Sequence, residues 1–324
     1  MKKIKQFLAL ALAGVLFACS PAPTGTTGSV PAKKETREGP KERTLHLLTS
    51  NKILVRMVLE LSDGFHQVDT LAMTANQMSR LRPDPKGTMK LGYHAFFYIG
   101  ANYEPFAKDF IAGLDRNEIN VVNLSRGIDL KRYLFNNMDQ DNPYYLMNSQ
   151  NYIIALSTIK NTLKELDPAR KLFYDKAFEN RYEAVEKFRK EQKTYMSQHS
   201  DVVFLTDSDL SAYVLEDYRR KPLLIGDFLK TVEVPIKNLS LPLPTNSSLP
   251  GPPDKVDMPA NGLRIFIYTD ELSLQKYGDE ILRLHLVPLK LDLYDYDSSI
   301  EEQYERLFMN IRQVIEEKST PKTP

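Results

Sequence analysis

The chain has 324 residues, with 43 basic and 42 acidic side chains and a formal charge of +1 at pH 7. Hydrophobic residues make up 42% and charged residues 26%, enough apolar side chain for one large domain or two ordinary ones. Interspersed, near-neutral charge argues against nucleic acid as a partner and leaves a small ligand open.

The first element is MKKIKQFLALALAGVLFACS. Lys2, Lys3 and Lys5 form a basic start, and Phe7 to Phe17 is an apolar run too short to remain as a bilayer-spanning helix. This pattern predicts a secretory signal segment over residues 1–18. It ends at Cys19, the only cysteine, directly after Ala18. The LFAC sequence resembles a bacterial lipobox, whose cysteine is diacylated and becomes the first residue of the mature protein. The other reading is a stray cysteine in an ordinary signal peptide. Ser20 fits onward sorting to the outer membrane of a double-membrane bacterium. One cysteine permits no intrachain disulfide. Residues 19–43, rich in Pro, Gly, Thr and charge, predict a disordered tether. Loss of residues 1–18 removes three lysines and no acid, which turns +1 into about −2.

From residue 44 to 147 short apolar runs alternate with helix-like segments. LHLLT (45–49) is a strand, and Ser50 is expected to cap a helix carrying Ile53, Leu54, Met57, Val58 and Leu61 at helical spacing. HQVDTLA (66–72) alternates like a strand, YHAFFYIG (93–100) is an apolar run, and 104–114 predicts a helix with Pro105 in its first turn. INVVNLS (119–125) is a further strand. Residues 148–198 read as helical throughout. Asp167-Pro168 supplies an N-cap and a first-turn proline, and Phe178, Tyr182, Val185, Phe188 and Tyr195 recur at helical steps. A helix of about thirty residues spans about 45 Å, long enough to run along two lobes.

Residues 199–318 repeat the grammar of the first half: VVFLT (202–206), a helix-like SDLSAYVLEDYRR, PLLIG (222–226), LRIFIYT (263–269), a helix over 270–284, HLVPLKLDL (285–293) and a closing helix over 300–317. Between them, residues 235–259 hold seven of the 20 prolines and predict an extended surface loop. Residues 319–324 form a tail. The expected fold is α/β: two lobes, each a mainly parallel sheet flanked by helices, joined by a long rigid linking helix, with the cleft between them as the ligand site.

No catalytic motif stands out. The chain shows no Gly-rich phosphate loop, no Gly-x-Ser-x-Gly elbow and no Cys-His pairing, so it is expected not to be an enzyme. His46, His66, His94, His199 and His285 show no metal spacing and read as satisfied core or edge residues. DLYDYDSS (292–298), lacking the glycine and terminal glutamate of an EF-hand, reads as a solvated turn.

LHLLTSNKILVRMV, FFYIGANYEPF, VVNLSRGIDL, DNPYYLMNSQN, LKELDPARKLFYDKAFENRYEAVEKF, DLSAYVLEDY and YERLFMNIRQVI, taken in order, resemble the periplasmic solute-binding proteins of zinc and manganese ABC transporters. The likeness covers most of the body. It implies a monomer that carries a divalent cation, zinc or manganese, to an ABC permease from an extracytoplasmic, membrane-anchored position. That family grips its cation with two first-lobe histidines, then a His or Glu and an Asp from the second lobe. Here Met78 stands near the first position, Tyr144 replaces the histidine of the Asn-Pro corner, Ser208 takes the third, and only Asp292 matches. Leu146 stands at the corner's Trp position and Tyr268 where the family often shows Glu, and the family's His-rich insertion is absent. Asp207 and Asp209, beside Ser208, are further candidates that would offer oxygen to a harder cation such as manganese or calcium. A phenol is a poor ligand because it ionises only near pH 10. The alternative expectation is an interaction or structural lipoprotein that kept the fold after losing the metal.

Overall fold

The computed structural model describes residues 42–135, 138–232 and 262–319. Cys19 with the signal segment, nearly all of the tether, the Pro-rich 235–259 loop and the last five residues lie outside them. The chain opens with β1 (His46–Asn51), α1 (Lys52–Ser62) and β2 (Gln67–Ala72), then two short helices, α2 (Ala75–Arg80) and α3 (Pro85–Met89). β3 (Ala95–Tyr98), α4 (Ala107–Ala112) and β4 (Asn120–Asn123) complete the first lobe's sheet, ordered β2-β1-β3-β4 with every pair parallel. A parallel sheet covered on both faces needs apolar side chains on both, and β1 and β3 supply them. Leu47 and Phe97 face α1, whereas Leu48 and Phe96 join Met78 and Phe110 in a separate cluster on the other face.

α1 forms as its spacing predicts: Ile53, Leu54, Met57, Val58 and Leu61 are all buried. The cap differs from expectation. Asn51 accepts from the Ile53 and Leu54 amides at 3.0 and 3.2 Å, while Ser50 stays in β1 and donates to Glu104 at 2.6 Å. The predicted 104–114 helix is also shorter, beginning at Ala107 after Pro105. Ahead of it comes a turn in which Gly100, Ala101 and Asn102 all have positive φ, +79°, +49° and +60°. Gly100 is required there, since a Cβ would lie 2.1 Å from Asn123 Oδ1.

An antiparallel hairpin, β5 (Arg132–Phe135) and β6 (Met138–Asp141), precedes the linking region and was not evident from the sequence. α5 (Ser149–Leu166) and α6 (Lys171–Gln198) then pack along each other. At 28 residues, α6 is about 42 Å long. Asp167 does not cap it: its Oδ2 accepts from Tyr174 Oη at 2.8 Å and Arg170 at 2.7 Å, and a 3-10 turn over Pro168–Arg170 leads in. Val185 is buried, and Phe178, Phe188 and Tyr195 pack partly against the core, but Tyr182 is 44% exposed and lies outside the seam.

The second lobe contains β7 (Val203–Thr206), α7 (Ala212–Asp217), β8 (Leu223–Leu224), α8 (Ile225–Val232), β9 (Arg264–Tyr268), α9 (Glu271–Lys276), α10 (Gly278–Arg283), β10 (Val287–Lys290) and α11 (Ile300–Ser319). The run PLLIG is therefore a two-residue strand that passes straight into a helix, and 270–284 is two helices. Sheet order is β10-β9-β7-β8, again all parallel. Counted from each lobe's first strand, the two sheets have the same order, so the repeated grammar of the sequence is a repeated topology. Pro288 sits in β10, an edge strand where its missing amide is tolerated.

One apolar cluster runs through both lobes, from Leu47, Leu54 and Phe97 through Tyr145, Leu156 and Tyr174 to Phe204, Ile265, Phe308 and Ile311. α6 meets α1 and also stacks Phe188 and Tyr195 on Phe308, with ring centroids 5.7 and 5.6 Å apart. His66 ties the first lobe to this rod. Its Nδ1 accepts from Leu45 N at 3.2 Å, so Nε2 carries the hydrogen and donates to Tyr174 Oη at 2.7 Å. Replacing Tyr174 by Phe strands that buried donor, and equilibrium denaturation of Tyr174→Phe should show a loss of about 1–3 kcal/mol.

Candidate functional site

In open parallel sheets ligands bind beyond the carboxyl ends of the strands, where the strand order reverses. Here those points lie between β1 and β3 in the first lobe and between β7 and β9 in the second. At both, a carboxylate of the protein's own bridges the two central strands. In the first lobe Glu104 accepts from Ser50 at the end of β1 and from the Ile99 and Gly100 amides after β3, at 2.6, 2.7 and 3.0 Å. Burial pushes its carboxyl up to about 6, while the hydrogen bonds to Ser50, Ile99 and Gly100 pull it down. In the second lobe Asp207 Oδ2 accepts from Thr269 N and Oγ1 after β9, at 3.2 and 3.3 Å, and Oδ1 accepts from Ser208 at 3.2 Å.

Between the lobes sits the Asn-Pro corner. Asn142 is fully buried; its Nδ2 donates to the Asp209 and Leu210 carbonyls at 3.0 and 3.4 Å, and its Oδ1 accepts from Tyr144 N at 3.0 Å. Tyr145 Oη donates to Ile99 O of the first lobe at 2.7 Å. Tyr294 of the second lobe donates to Pro143 O at 2.8 Å and accepts from Leu146 N at 3.1 Å; Tyr304 donates to Leu146 O. Asn148 caps α5 through Oδ1, and Asp217 of α7 accepts from Ser149 N and Oγ at 2.6 and 2.9 Å. Burial pushes the Asp217 carboxyl up to about 6, against the pull of those Ser149 bonds.

Tyr144 is half-buried among other rings. Its ring packs edge-on against Tyr294 at 5.0 Å and Tyr103 at 6.1 Å, and Tyr103 meets Tyr294 at 5.2 Å. Tyr103 and Tyr296 share a hydrogen bond of 3.1 Å across the lobes. Rings from the first lobe, the corner and the second lobe thus form one stack. Burial raises the Tyr144 hydroxyl above its ordinary pKa, which makes it harder still to ionise onto a cation.

The other candidates are distributed as follows. Met78 is 4% exposed in the apolar cluster on the outer face of the first sheet, against which Tyr103 also packs. Ser208 and Asp207 are bonded to each other. Asp209 is half-buried, its carboxyl raised by burial and then by Asp227, and its backbone holds Asn142. Asp292 is exposed beside Gln303, Arg306 and Asn310 of α11. The corner carrying Tyr144 thus touches the segments of Asp209 and, through Tyr294, of Asp292, while Tyr103 packs both on Tyr144 and on the cluster that holds Met78. Among the described residues, no group of three or more His, Cys, Asp or Glu side chains is arranged to hold a metal ion. His46, His66, His94 and His199 are each hydrogen-bonded within the fold. The DLYDYDSS turn is internally tied: Asp295 accepts from Asp297 N and Arg306 at 2.9 and 2.8 Å, and Lys52 of the first lobe donates to Asp297 at 2.7 Å.

A profile of the family described as zinc-uptake complex component A, periplasmic (ZnuA), matches residues 48–237. The chain belongs to the ZnuA family. Solved structures share the fold. A crystal structure of ZnuA superposes with a TM-score of 0.60 at 14% identity, covering 84% of this chain and 99% of that one. The laminin-binding protein Lmb of Streptococcus agalactiae, described as having adhesin and metal-transporting activity, gives 0.59 at 16% identity over 83% and 98%. The solute-binding protein FpvC of P. aeruginosa, solved with Ni2+, gives 0.59 at 15% over 87% and 100%. No curated protein matches the chain. ZnuA-family members are solute-binding proteins of metal transport, so the resemblance and the α/β two-lobed architecture read from the sequence both hold. Among the described residues, no helix is long and apolar enough to cross a membrane.

Sequence reasoning missed Glu104, Tyr103, Tyr294 and Tyr296 as site residues. A lone acid inside the apolar YIGANYEPF was the available sign. Removing the Tyr294 hydroxyl leaves Pro143 O and Leu146 N unpaired. Urea unfolding of Tyr294→Phe should therefore show a loss of about 2–4 kcal/mol, while Tyr296→Phe, which breaks one bond, costs under about 1.5 kcal/mol.

Proposed function

We propose that this chain is the lipid-anchored, extracytoplasmic solute-binding component of a metal-type ABC importer. Cys19 supplies the anchor, the tether lets the body stand off the membrane, and the region between the lobes carries a divalent cation to a permease. The family match over residues 48–237 carries this reading. Structures of similar proteins hold Zn(II), Ni2+ or Mn2+, which supports a cation as cargo. In this chain the ligand-type positions are Met78, Tyr144, Ser208 and Asp292, with Asp207 and Asp209 beside them. Three carboxylates without imidazole favour a harder cation such as manganese or calcium, at weaker affinity than a histidine-rich site gives zinc.

A second reading has a specific observation in its favour. Tyrosine rings pack together between the lobes, and Glu104 and Asp207 bridge the central strands at both sheet ends, as expected of an interaction lipoprotein that kept the fold without the metal. Elemental analysis and thermal unfolding with zinc, manganese, calcium and iron distinguish the two. The transport reading expects stabilisation by at least one cation, about 2.7 kcal/mol at a hundredfold excess over Kd, and its reduction in Asp292→Asn. No bound metal and no shift with any of the four rejects it.

A further inference from the structure

Away from the ring stack, α1 of the first lobe and α11 of the second meet over α5 and α6, and two carboxylates there face one phenol. Tyr152 Oη lies 3.0 Å from Glu60 Oε2 and 3.2 Å from Glu301 Oε1. Tyr152 is fully buried, and its hydroxyl is held well above its ordinary pKa by that burial, so it stays a phenol. A phenol has one proton to donate. With both acids ionised, one carboxylate oxygen meets the Tyr152 oxygen with no hydrogen between them.

The two acids are not equivalent. Arg181 of α6 donates to Glu301 Oε2 at 3.0 Å, which gives Glu301 a cation of its own. Among the described residues Glu60 has only the Tyr152 hydroxyl as a hydrogen-bond partner. The other charges nearby are Arg56 on α1, Asp63 just after it, Lys176 and Arg181 on α6, and Glu302 on α11, with Glu305 of α11 acting on Glu301. Arg56 is matched to Glu302 at 3.6 Å. Asp63, Lys176 and Arg181 line a cavity of about 370 Å³ that also reaches Glu60, so water has access to its carboxyl.

We propose that Glu60, Tyr152 and Glu301 form a proton-operated clasp between the two lobes. When Glu60 is protonated, its hydroxyl donates to the Tyr152 oxygen and the Tyr152 hydroxyl donates to Glu301, so each oxygen pair holds one hydrogen. Loss of that proton to solvent breaks the chain and sets two carboxylates against each other across the α1–α11 junction. The energetics agree with the geometry. Burial first, then the Glu301 charge, pushes the Glu60 carboxyl up to about 7, while Arg181 and Tyr152 pull the other way. An unfolded chain gives up this proton near 4.5, whereas the folded chain keeps it to about 7. The clasp therefore contributes fully below the unfolded value and is lost as pH rises through the folded one. It uses none of the candidate cation ligands, so it is tested independently of the cargo.

The experiment is a titration of the full chain labelled with 13C at glutamate carboxyls, run beside Glu60→Gln and Glu301→Gln. The clasp predicts a carboxyl titrating near 7 that is missing from Glu60→Gln and moves down in Glu301→Gln. Between pH 5 and 8 the unfolding equilibrium constant of the wild type should rise at least about tenfold relative to that of Glu60→Gln. Amide exchange in α1 and α11 should match between the two at pH 5.5 and be faster in the wild type at pH 8. A Glu60 carboxyl titrating within about one unit of 4.5 overturns the clasp. So does a wild-type difference from Glu60→Gln that is the same at both pH values. Should Glu60→Gln fail to fold, Glu301→Gln decides: a carboxyl near 7 that does not move overturns the proposal, and one that moves down supports it.

Discussion

A buried loop is costly because its backbone groups have lost water, and the Asn142–Ser149 corner lies between two lobes. Its amides and carbonyls are satisfied from both sides. Tyr145 reaches back to Ile99, Tyr294 and Tyr304 reach forward to Pro143 and Leu146, and Asp217 takes the first amide of α5. Neither lobe can swing away without stranding some of these groups at about 1–3 kcal/mol each. The same corner carries Tyr145, Leu146 and Met147 into the apolar cluster shared by both lobes. The linking helices are thus faces of one core, and large hinge motion is disfavoured.

Within that frame the two lobes are copies in topology, and each has a carboxylate at the sheet end where ligands usually bind. Glu104 and Asp207 do the same work at corresponding places, joining the two central strands of their sheets. Between them the rings of Tyr103, Tyr144 and Tyr294 pack edge to face, and Tyr103 and Tyr296 share a hydrogen bond from lobe to lobe.

Much of the architecture was legible because burial writes a periodic pattern. The α1 stripe, the double-faced β1 and β3, and the repeated strand-helix order follow from which residues avoid water. Local polar choices were less legible. Ser50 and Asn51 are both good caps, and only the position of Glu104 decides that Ser50 turns inward. Asp167 precedes a proline as a cap should, but Tyr174 and Arg170 compete for it and win. PLLIG read as a strand because a short apolar run looks alike in strand and helix. The site was the least legible part. Its ring packing depends on residues far apart in the chain, Tyr103, Tyr144 and Tyr294, whose convergence no local spacing announces.

Native-state hydrogen exchange measures most directly whether the two lobes are one cooperative body. If the corner joins them as described, the slowest amides of β3 in the first lobe and β9 in the second exchange with the same opening free energy and the same denaturant dependence, that of global unfolding. A second lobe whose β9 amides open several kcal/mol more easily, with a smaller denaturant slope, would contradict the account.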